Sequence, residues 1–332
     1  MILITGAYGF IGVYLVDELR RQGYQVLASG RRNIAAEYFK QRGVPYVALD
    51  VTREEDFRNL PQQGIEAVCH LAGLLPANVQ QCQPHDYVRA NVLGALNVLE
   101  YCRMHGVRKV LSTTSYADIQ NSWVVDPPTP SNTPRNFRFT GDHAMYVISK
   151  NMATDLILHY NEEYGLQGSI FRLPPVYGYG PHLTIYVDGK PYRSAFQIFM
   201  ENATSGLPIE VWGDPHAVRD VVSVKDVVQA FIKASRSDRA LGVYNIASGI
   251  GITLQQQAQT MVDVLSRPGV QSEIILRSDK PSKVKPYVLD ISDAQRDFDY
   301  RPQYSFHDMI VDYCNEERAG TYSEFVHNRK RS

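Results

Sequence analysis

The 332-residue sequence predicts a doubly wound α/β fold, an open parallel sheet with helices on both faces and a smaller, interleaved C-terminal lobe. Three observations predict it. A short apolar run, Ile2 to Thr5, is followed at once by Gly6, Gly9 and Gly12, and then by apolar residues at helical spacing from Ile11 to Leu19. Strand and helix patterns alternate through the first half of the chain, as parallel strands joined by right-handed crossovers require. From Pro174 onward the alternation breaks down, and proline, glycine and tyrosine crowd PPVYGYGPHLTIYVDGKPY.

After the first helix, residues 25–29 (QVLAS) read as a strand, 34–42 as a helix and 45–49 (PYVAL) as a strand. A helix from Arg53, a strand over 66–71 (EAVCHL), a long helix over 84–104 and a strand over 109–114 (KVLSTT) come next. Residues 115–146 contain DPPTPSNTPRNF, too long and too proline-rich for a routine connection, and such loops are functional or disordered. A long helix over 142–163 and a strand over 167–172 follow. Later pieces are helices over 224–234, 254–265 and 306–314 and the strands GVYNIA and SEIIL. The expected division is a sheet domain, 1–173 with about 218–247, and a second lobe, 174–217 and 248–330.

Composition narrows the function classes. The chain is 44% hydrophobic and 21% charged with a net charge of −1, so it has no basic excess with which to neutralise a nucleic acid. The terminal HNRKRS reads as a solvated tail. A core strand at the first residues leaves no room for a leader, and no apolar run approaches the ~18 residues that span a membrane, so the expected location is cytoplasmic. Cys69, Cys82, Cys102 and Cys314 form no CxxC pair and no metal-ligand spacing, which predicts reduced thiols and no metal.

The glycines carry the first chemistry. At a strand-to-helix turn they take backbone angles closed to other residues and let a ligand's phosphates approach the helix N-terminus, the setting of a dinucleotide pyrophosphate site. The spacing is GxxGxxG rather than GxGxxG. A second candidate is MYVISK, where Tyr146 and Lys150 share a helix face beside Ser149. A phenol titrates near 10, and moving it into the neutral range takes about 4 kcal/mol of differential stabilisation, which a lysine and a cationic nicotinamide can supply together. Tyr146 is therefore a candidate general acid/base. Tyr186 and Lys190 repeat the spacing, but Asp188, Gly189 and Pro191 make that segment a turn. Ser112, Thr113, Thr114 and Ser115 leave the sheet at its C-terminal edge, where ligands of such sheets bind.

GAYGFIG, HLAG, the serine and threonine run, YVISK, RLPPVYGYGP and RDVVSVKDVV together resemble the extended short-chain dehydrogenase/reductase family, and in particular the NAD-dependent epimerases and dehydratases of nucleotide sugars. The resemblance covers nearly the whole chain. It implies a Rossmann domain with a substrate-binding lobe and a catalytic set of Ser115, Tyr146 and Lys150. The cofactor would be lined by Gly6, Gly9, Phe10, Ile11, Gly12, Asp50, Val51, Leu71, Ala72, Gly73, Asn91, Thr113 and Pro174. Ser115, Tyr116, Tyr177 and Arg219 would meet the nucleotide-sugar substrate, with Arg219 on its diphosphate. Tyr179, His182, Tyr186 and Tyr192 are further pocket candidates, equally compatible with core positions. The plainer alternatives are a surface amide for Asn91, an ion pair with Asp220 for Arg219 and, as the preferred reading, a helix capping box for Ser223 and Asp226. A homodimer through helices 84–104 and 142–164 is also implied.

Three departures bear on function. Where NAD-specific members carry an acidic residue after the second strand, this chain has Arg31 and Arg32, which suit a 2′-phosphate and favour NADP(H) over NAD(H). Tyr116 and Ala117 stand where family dehydratases carry an Asp-Glu pair, so 4,6-dehydration is not expected unless Asp118 or Asp142 substitutes. Pro175 replaces an asparagine that many members use on the diphosphate. The leading expectation is a nucleotide-sugar epimerase working through a transient 4-keto sugar. The alternatives are an NADPH-dependent 4-ketoreductase and a catalytically silent NADP-binding regulatory protein.

Overall fold

The computed structural model describes residues 1–76, 83–141, 143–181, 184–187, 190–281 and 285–330; Cys82, Asp142, His182, Asp188 and Gly189 lie outside them. The chain runs through β1 (Ile2–Thr5), α1 (Phe10–Arg21), β2 (Val26–Gly30), α2 (Asn33–Gln41), β3 (Tyr46–Ala48) and β4 (Ala67–His70). It continues through α3 (Pro84–Tyr87), a π turn (Val88–Leu93), α4 (Gly94–Met104), β5 (Lys109–Ser115), α5 (Ala144–Tyr164) and β6 (Gln167–Leu173). Next come β7 (Val176–Tyr177), β8 (Thr184–Val187), β9 (Lys190–Arg193), α6 (Ala195–Ser205), β10 (Ile209–Trp212), β11 (Val218–Asp220), β12 (Val222–Ser223), α7 (Val224–Arg236) and β13 (Gly242–Asn245). The chain closes with β14 (Gly251–Thr253), α8 (Leu254–Leu265), β15 (Ile274–Arg277), α9 (Ser292–Phe298), α10 (Phe306–Ala319) and α11 (Ser323–Lys330).

Seven strands form one parallel sheet in the order β13-β6-β5-β4-β1-β2-β3. The winding direction reverses between β1 and β4, which opens a crevice at the C-terminal ends of those strands. Both faces are covered: Ile2 and Ile4 join the core cluster containing Val13, Leu15, Phe171 and Phe231, while Leu3 points the other way into Val68, Val98 and Tyr101. That double burial is why the strands read as continuous apolar runs. The helix expected from Arg53 is instead a six-residue 3-10 helix, Glu54–Asn59. Pro61 drives Leu60 to extended angles, ψ 151°, and stops it.

The proline-rich segment is pinned. Thr129 donates its N–H to the Val288 carbonyl at 2.8 Å, and its own carbonyl accepts from Asn245 Nδ2 at 3.0 Å. Beneath it, Arg172 at the end of β6 makes a two-pronged ion pair with Asp118 at 2.9 and 3.0 Å, and donates to the Ser131 carbonyl at 2.8 Å and to Asn245 Oδ1 at 3.1 Å. Arg172 and Asp118 are both 3% exposed. Removing one member of such a pair strands the other charge. Asp118→Ala is expected to lose about 3–5 kcal/mol in a denaturant unfolding experiment; a loss below about 1 kcal/mol would mean the pair does not hold the loop to the sheet.

Candidate active site

The glycine turn is shaped by what cannot be there. Gly6 has φ +68°, and a Cβ on it would lie 2.6 Å from the Ala72 nitrogen, so the loops after β1 and β4 meet backbone to backbone. A Cβ on Gly12 would fall 2.5 Å from the Ala7 carbonyl oxygen, so the first turn of α1 packs directly on the loop. Gly9 caps α1, and the first turn contains no acidic residue to occupy the positive end of the helix. A pyrophosphate fits such a cradle, with Phe10 and Ile11 in the turn beneath it. Asn91 is 3% exposed and braces the opposite wall. Its Oδ1 accepts from Leu74 N at 2.7 Å, while Nδ2 donates to the Leu74 carbonyl at 3.2 Å and to Ser149 Oγ at 2.9 Å. A surface amide is thereby ruled out. Asn91 holds the strand-end segment Leu71, Ala72, Gly73 against α5, and a Cβ on Gly73 would sit 2.9 Å from its Oδ1.

At the neighbouring strand end, Arg31 is exposed and Arg32, the residue before α2, is half-buried. The Tyr46 hydroxyl donates to the Gly30 carbonyl and lies 3.2 Å from the Arg32 carbonyl, gripping this turn from β3. Asp50 and Val51 follow β3. One Asp50 oxygen accepts from Thr52 N at 3.0 Å and Thr52 Oγ1 at 2.8 Å, and Val51 is buried.

The pleat of β5 sorts its four hydroxyls. Ser112 and Thr114 are buried on one side, whereas Thr113 and Ser115 emerge, half-exposed, on the other. Lys150 reaches across from α5 with Nζ 3.4 Å from Thr113 Oγ1. It has no ion-pair partner among the described residues, and burial lowers its pKa to about 8. Close by, the buried His70 ring nitrogen Nδ1 is 2.8 Å from Thr5 Oγ1; burial and then Lys150 push that imidazole down to about 3, so it is neutral. Tyr146, one turn before Lys150, is raised above its ordinary value of 10.0 by burial first, then by the Tyr116 phenol and the Asp118 carboxylate. Ser115 Oγ accepts from Ala117 N at 3.2 Å. Tyr146 is thus a protonated phenol and Lys150, one helical turn on, a poorly solvated ammonium.

An aromatic wall stands next to this pair. Tyr116 stacks on Trp123 with centroids 5.0 Å apart and planes 4° off parallel, and Tyr287 packs on both, at 5.1 and 4.7 Å. Arg219, on β11, has a buried Nε with no hydrogen-bond partner among the described residues. Its guanidinium partly opposes the rise that burial imposes on the Tyr116 and Tyr177 phenols. The ion pair with Asp220 does not form, because the Asp220 carboxylate is taken up by Ser248 N at 3.0 Å, Ser248 Oγ at 2.6 Å, Gly249 N at 3.1 Å and Leu289 N at 3.1 Å. A buried guanidinium nitrogen left open in this way suits an anionic ligand.

Several expectations need correction. Ser223 Oγ caps Lys225 N at 3.1 Å, but Asp226 does not complete a capping box; its carboxylate accepts from Gln303 N at 2.8 Å and Tyr304 N at 3.2 Å. Asp118 is committed to Arg172 and does not replace the missing carboxylates, while Asp142 lies outside the described residues. Tyr177 stacks on Phe196 at 4.2 Å, Tyr179 is a core residue whose carbonyl accepts from the Tyr14 hydroxyl, and Tyr192 is 51% exposed. Pro174 and Pro175 join β6 to β7, the Pro175 carbonyl accepting from Val222 N at 3.1 Å. Trp123 and Tyr287 were not singled out from sequence, and His70 entered only as part of HLAG. Trp123 and Tyr287 come from segments with no local motif, and the chain distance between them is closed only by the fold.

Known proteins share this fold. The chain is 27% identical over 311 residues to the dTDP-4-dehydro-6-deoxy-D-allose reductase of Streptomyces sp, covering 91% of each protein. Among solved structures it superposes on the UDP-glucose 4-epimerase of Thermotoga maritima with UDP-glucose, with a TM-score of 0.78, 26% identity and 96% and 98% coverage of the two chains. It also superposes on the Thermus thermophilus UDP-glucose 4-epimerase complex with NAD, with a TM-score of 0.75, 26% identity and 96% and 99% coverage. The sequence profile described as the NAD dependent epimerase/dehydratase family matches residues 2–247, most of the chain and the whole of the parallel sheet, and the protein belongs to that family.

Proposed function

We propose that the protein is a nucleotide-sugar 4-epimerase that uses NADP(H) in preference to NAD(H). The observation that carries this reading is the Lys150 ammonium 3.4 Å from Thr113 on the strand that ends at Ser115, with Tyr146 one helical turn away on α5, next to a position where Tyr116 and Ala117 stand in place of elimination carboxylates and Asp118 is locked to Arg172. The glycine cradle would hold the pyrophosphate, Arg31 and Arg32 a 2′-phosphate, and Lys150 the nicotinamide ribose. A bound nicotinamide supplies the hydride chemistry, accepting hydride from the sugar carbon and, in an epimerase, returning it to the opposite face.

Tyr146 takes the proton of the sugar hydroxyl as the carbonyl forms and gives it back when the carbonyl is reduced. Ser115 Oγ, already fixed by Ala117 N, orients the same oxygen. Arg219 neutralises the diphosphate and so anchors the part of the substrate that does not react, leaving the sugar free to turn against the flat face of Tyr116. The exposed Leu93, Met104, Met152 and Tyr164 on and beside the paired helices α4 and α5 support a homodimer through these helices. The second reading, a 4-ketoreductase that consumes NADPH, is favoured by Arg31 and Arg32 and by the Streptomyces relative.

Cofactor economy separates the two. An epimerase interconverts substrate with no net change in NADPH absorbance over many turnovers; loss of one NADPH per product would overturn the epimerase in favour of the reductase. Tyr146 supplies a second prediction. In the cofactor-free protein its phenolate absorbance should be missing between about pH 7 and 9. Adding oxidised cofactor should bring in a signal that Tyr146→Phe lacks, and identical titrations of the two proteins would remove Tyr146 as the base. Lys150→Met gives a third. Because the folded protein holds this ammonium at about 8 against ~10.4 in the unfolded chain, its cost is fully present below pH 8 and fades toward ~10.4. The variant should therefore melt a few degrees higher than the parent at neutral pH while turnover falls about 100-fold or more. A lower midpoint would show that Lys150 is a stabilising structural residue.

A further inference from the structure

The C-terminal helix α11 is far from the catalytic pair in sequence and takes no part in the chemistry above, yet it is buried against the cofactor end of the sheet. Phe325 is 0% exposed and meets Tyr8 edge to face at 5.1 Å. Tyr8 lies inside the glycine turn, between Gly6 and Gly9, and its ring also meets Tyr38 at 5.0 Å and Phe39 at 6.2 Å on α2. Phe39 stacks at 5.8 Å on Tyr46, the residue whose hydroxyl grips the carbonyls of Gly30 and Arg32. One continuous aromatic chain thus runs from the last helix to the backbone of the arginine turn. On the other side, the Tyr8 phenol is close enough to the Arg32 guanidinium to oppose part of the loss of basicity that burial and Arg31 impose there.

The helix is held on both flanks. Tyr322 stacks on Tyr14 of α1 at 4.1 Å, and Glu324 pairs at 3.3 Å with Arg42, whose guanidinium lies 3.6 Å from the Tyr38 ring centroid. Edge-to-face aromatic contacts are directional, and buried rings cannot move independently in a close-packed interior. A shift of Phe325 is passed to Tyr8, whose backbone belongs to the glycine turn and whose ring packs on α2, the helix that Arg32 begins.

We propose that Phe325 and Tyr8 are positioning residues for the cofactor site, through which the C-terminal helix sets the discrimination between a phosphorylated and an unphosphorylated adenosine ribose. This inference rests on the reading that Arg32 faces the 2′-phosphate. It acts on binding and on selectivity, and requires no contact between α11 and the cofactor.

The test is a double-mutant cycle on the full chain. Dissociation constants for NADPH and NADH are measured by fluorescence titration for the parent, Phe325→Leu, Arg32→Ala and the double variant, with thermal melts alongside. Phe325→Leu keeps an apolar side chain in the buried site but removes the ring edge. The expected result is a fall of at least threefold in the NADPH-over-NADH preference on Phe325→Leu, no further fall when Arg32 is already alanine, and restoration by Phe325→Tyr. A lower melting midpoint with an unchanged preference overturns the proposal, because packing alone would weaken both cofactors equally. If Arg32→Ala itself leaves the preference unchanged, the reading of Arg32 falls and this proposal with it. Should Phe325→Leu not fold, Tyr8→Leu reads the same contact from the other side, with the same outcomes expected.

Discussion

The close approach of two loops at the end of the parallel sheet is the constraint on which the rest of the site depends. Gly6 leaves β1 in a left-handed conformation with no room for a Cβ against Ala72. The turn after β1 and the turn after β4 therefore lie backbone against backbone. The neighbouring elements are referred to that contact. Asn91 reaches from the π turn to fix the second loop, Ser149 links Asn91 to α5 beside Tyr146, and α5 carries Lys150 to Thr113 of β5. Tyr146, whose carbonyl accepts from Ser149 Oγ, is thus tied by hydrogen bonds to the contact of the two loops.

Electrostatics divides the buried charges into those already satisfied and those left for a ligand. Asp118, Arg172, Asp220 and Asp226 are buried, and their partners are supplied within the fold. They tie the proline-rich loop and the C-terminal segments to the sheet. Lys150 and Arg219 differ: neither has a carboxylate partner among the described residues, Lys150 is depressed by burial, and Arg219 keeps an open Nε. Two cations left without counter-charges near buried phenols leave positive charge that an anionic ligand would neutralise.

The aromatic residues have two distinct jobs that their sequence positions do not separate. Tyr116, Trp123 and Tyr287 make a flat wall near Tyr146, whereas Tyr8, Tyr38, Phe39, Tyr46 and Phe325 form a packed network behind the glycine turn. Tyr179 resembles Tyr177 in sequence context, but Tyr177 borders the Arg219 pocket and Tyr179 belongs to the core against Tyr313. In both networks the partners come from segments more than 100 residues apart, as Tyr116 and Tyr287 or Tyr8 and Phe325 show.

Features governed by local chemistry were legible in the sequence alone. Glycines that only a tight turn tolerates, apolar runs that only a doubly covered strand needs, and a tyrosine and lysine one helical turn apart each report their own neighbourhood, and together they indicated the parallel sheet and the family. The segment from Arg53 forms a 3-10 helix instead of the expected α-helix for an equally local reason, the proline that follows it. Only the tertiary structure decided where the buried charges find their partners. Asp220 and Asp226 could each be paired plausibly with a chain neighbour, Arg219 or the Ser223 cap. They bond instead to backbone amides at 289 and 303–304, because a desolvated carboxylate is stabilised by whichever donors the fold brings to it, and sequence adjacency gives no information on that.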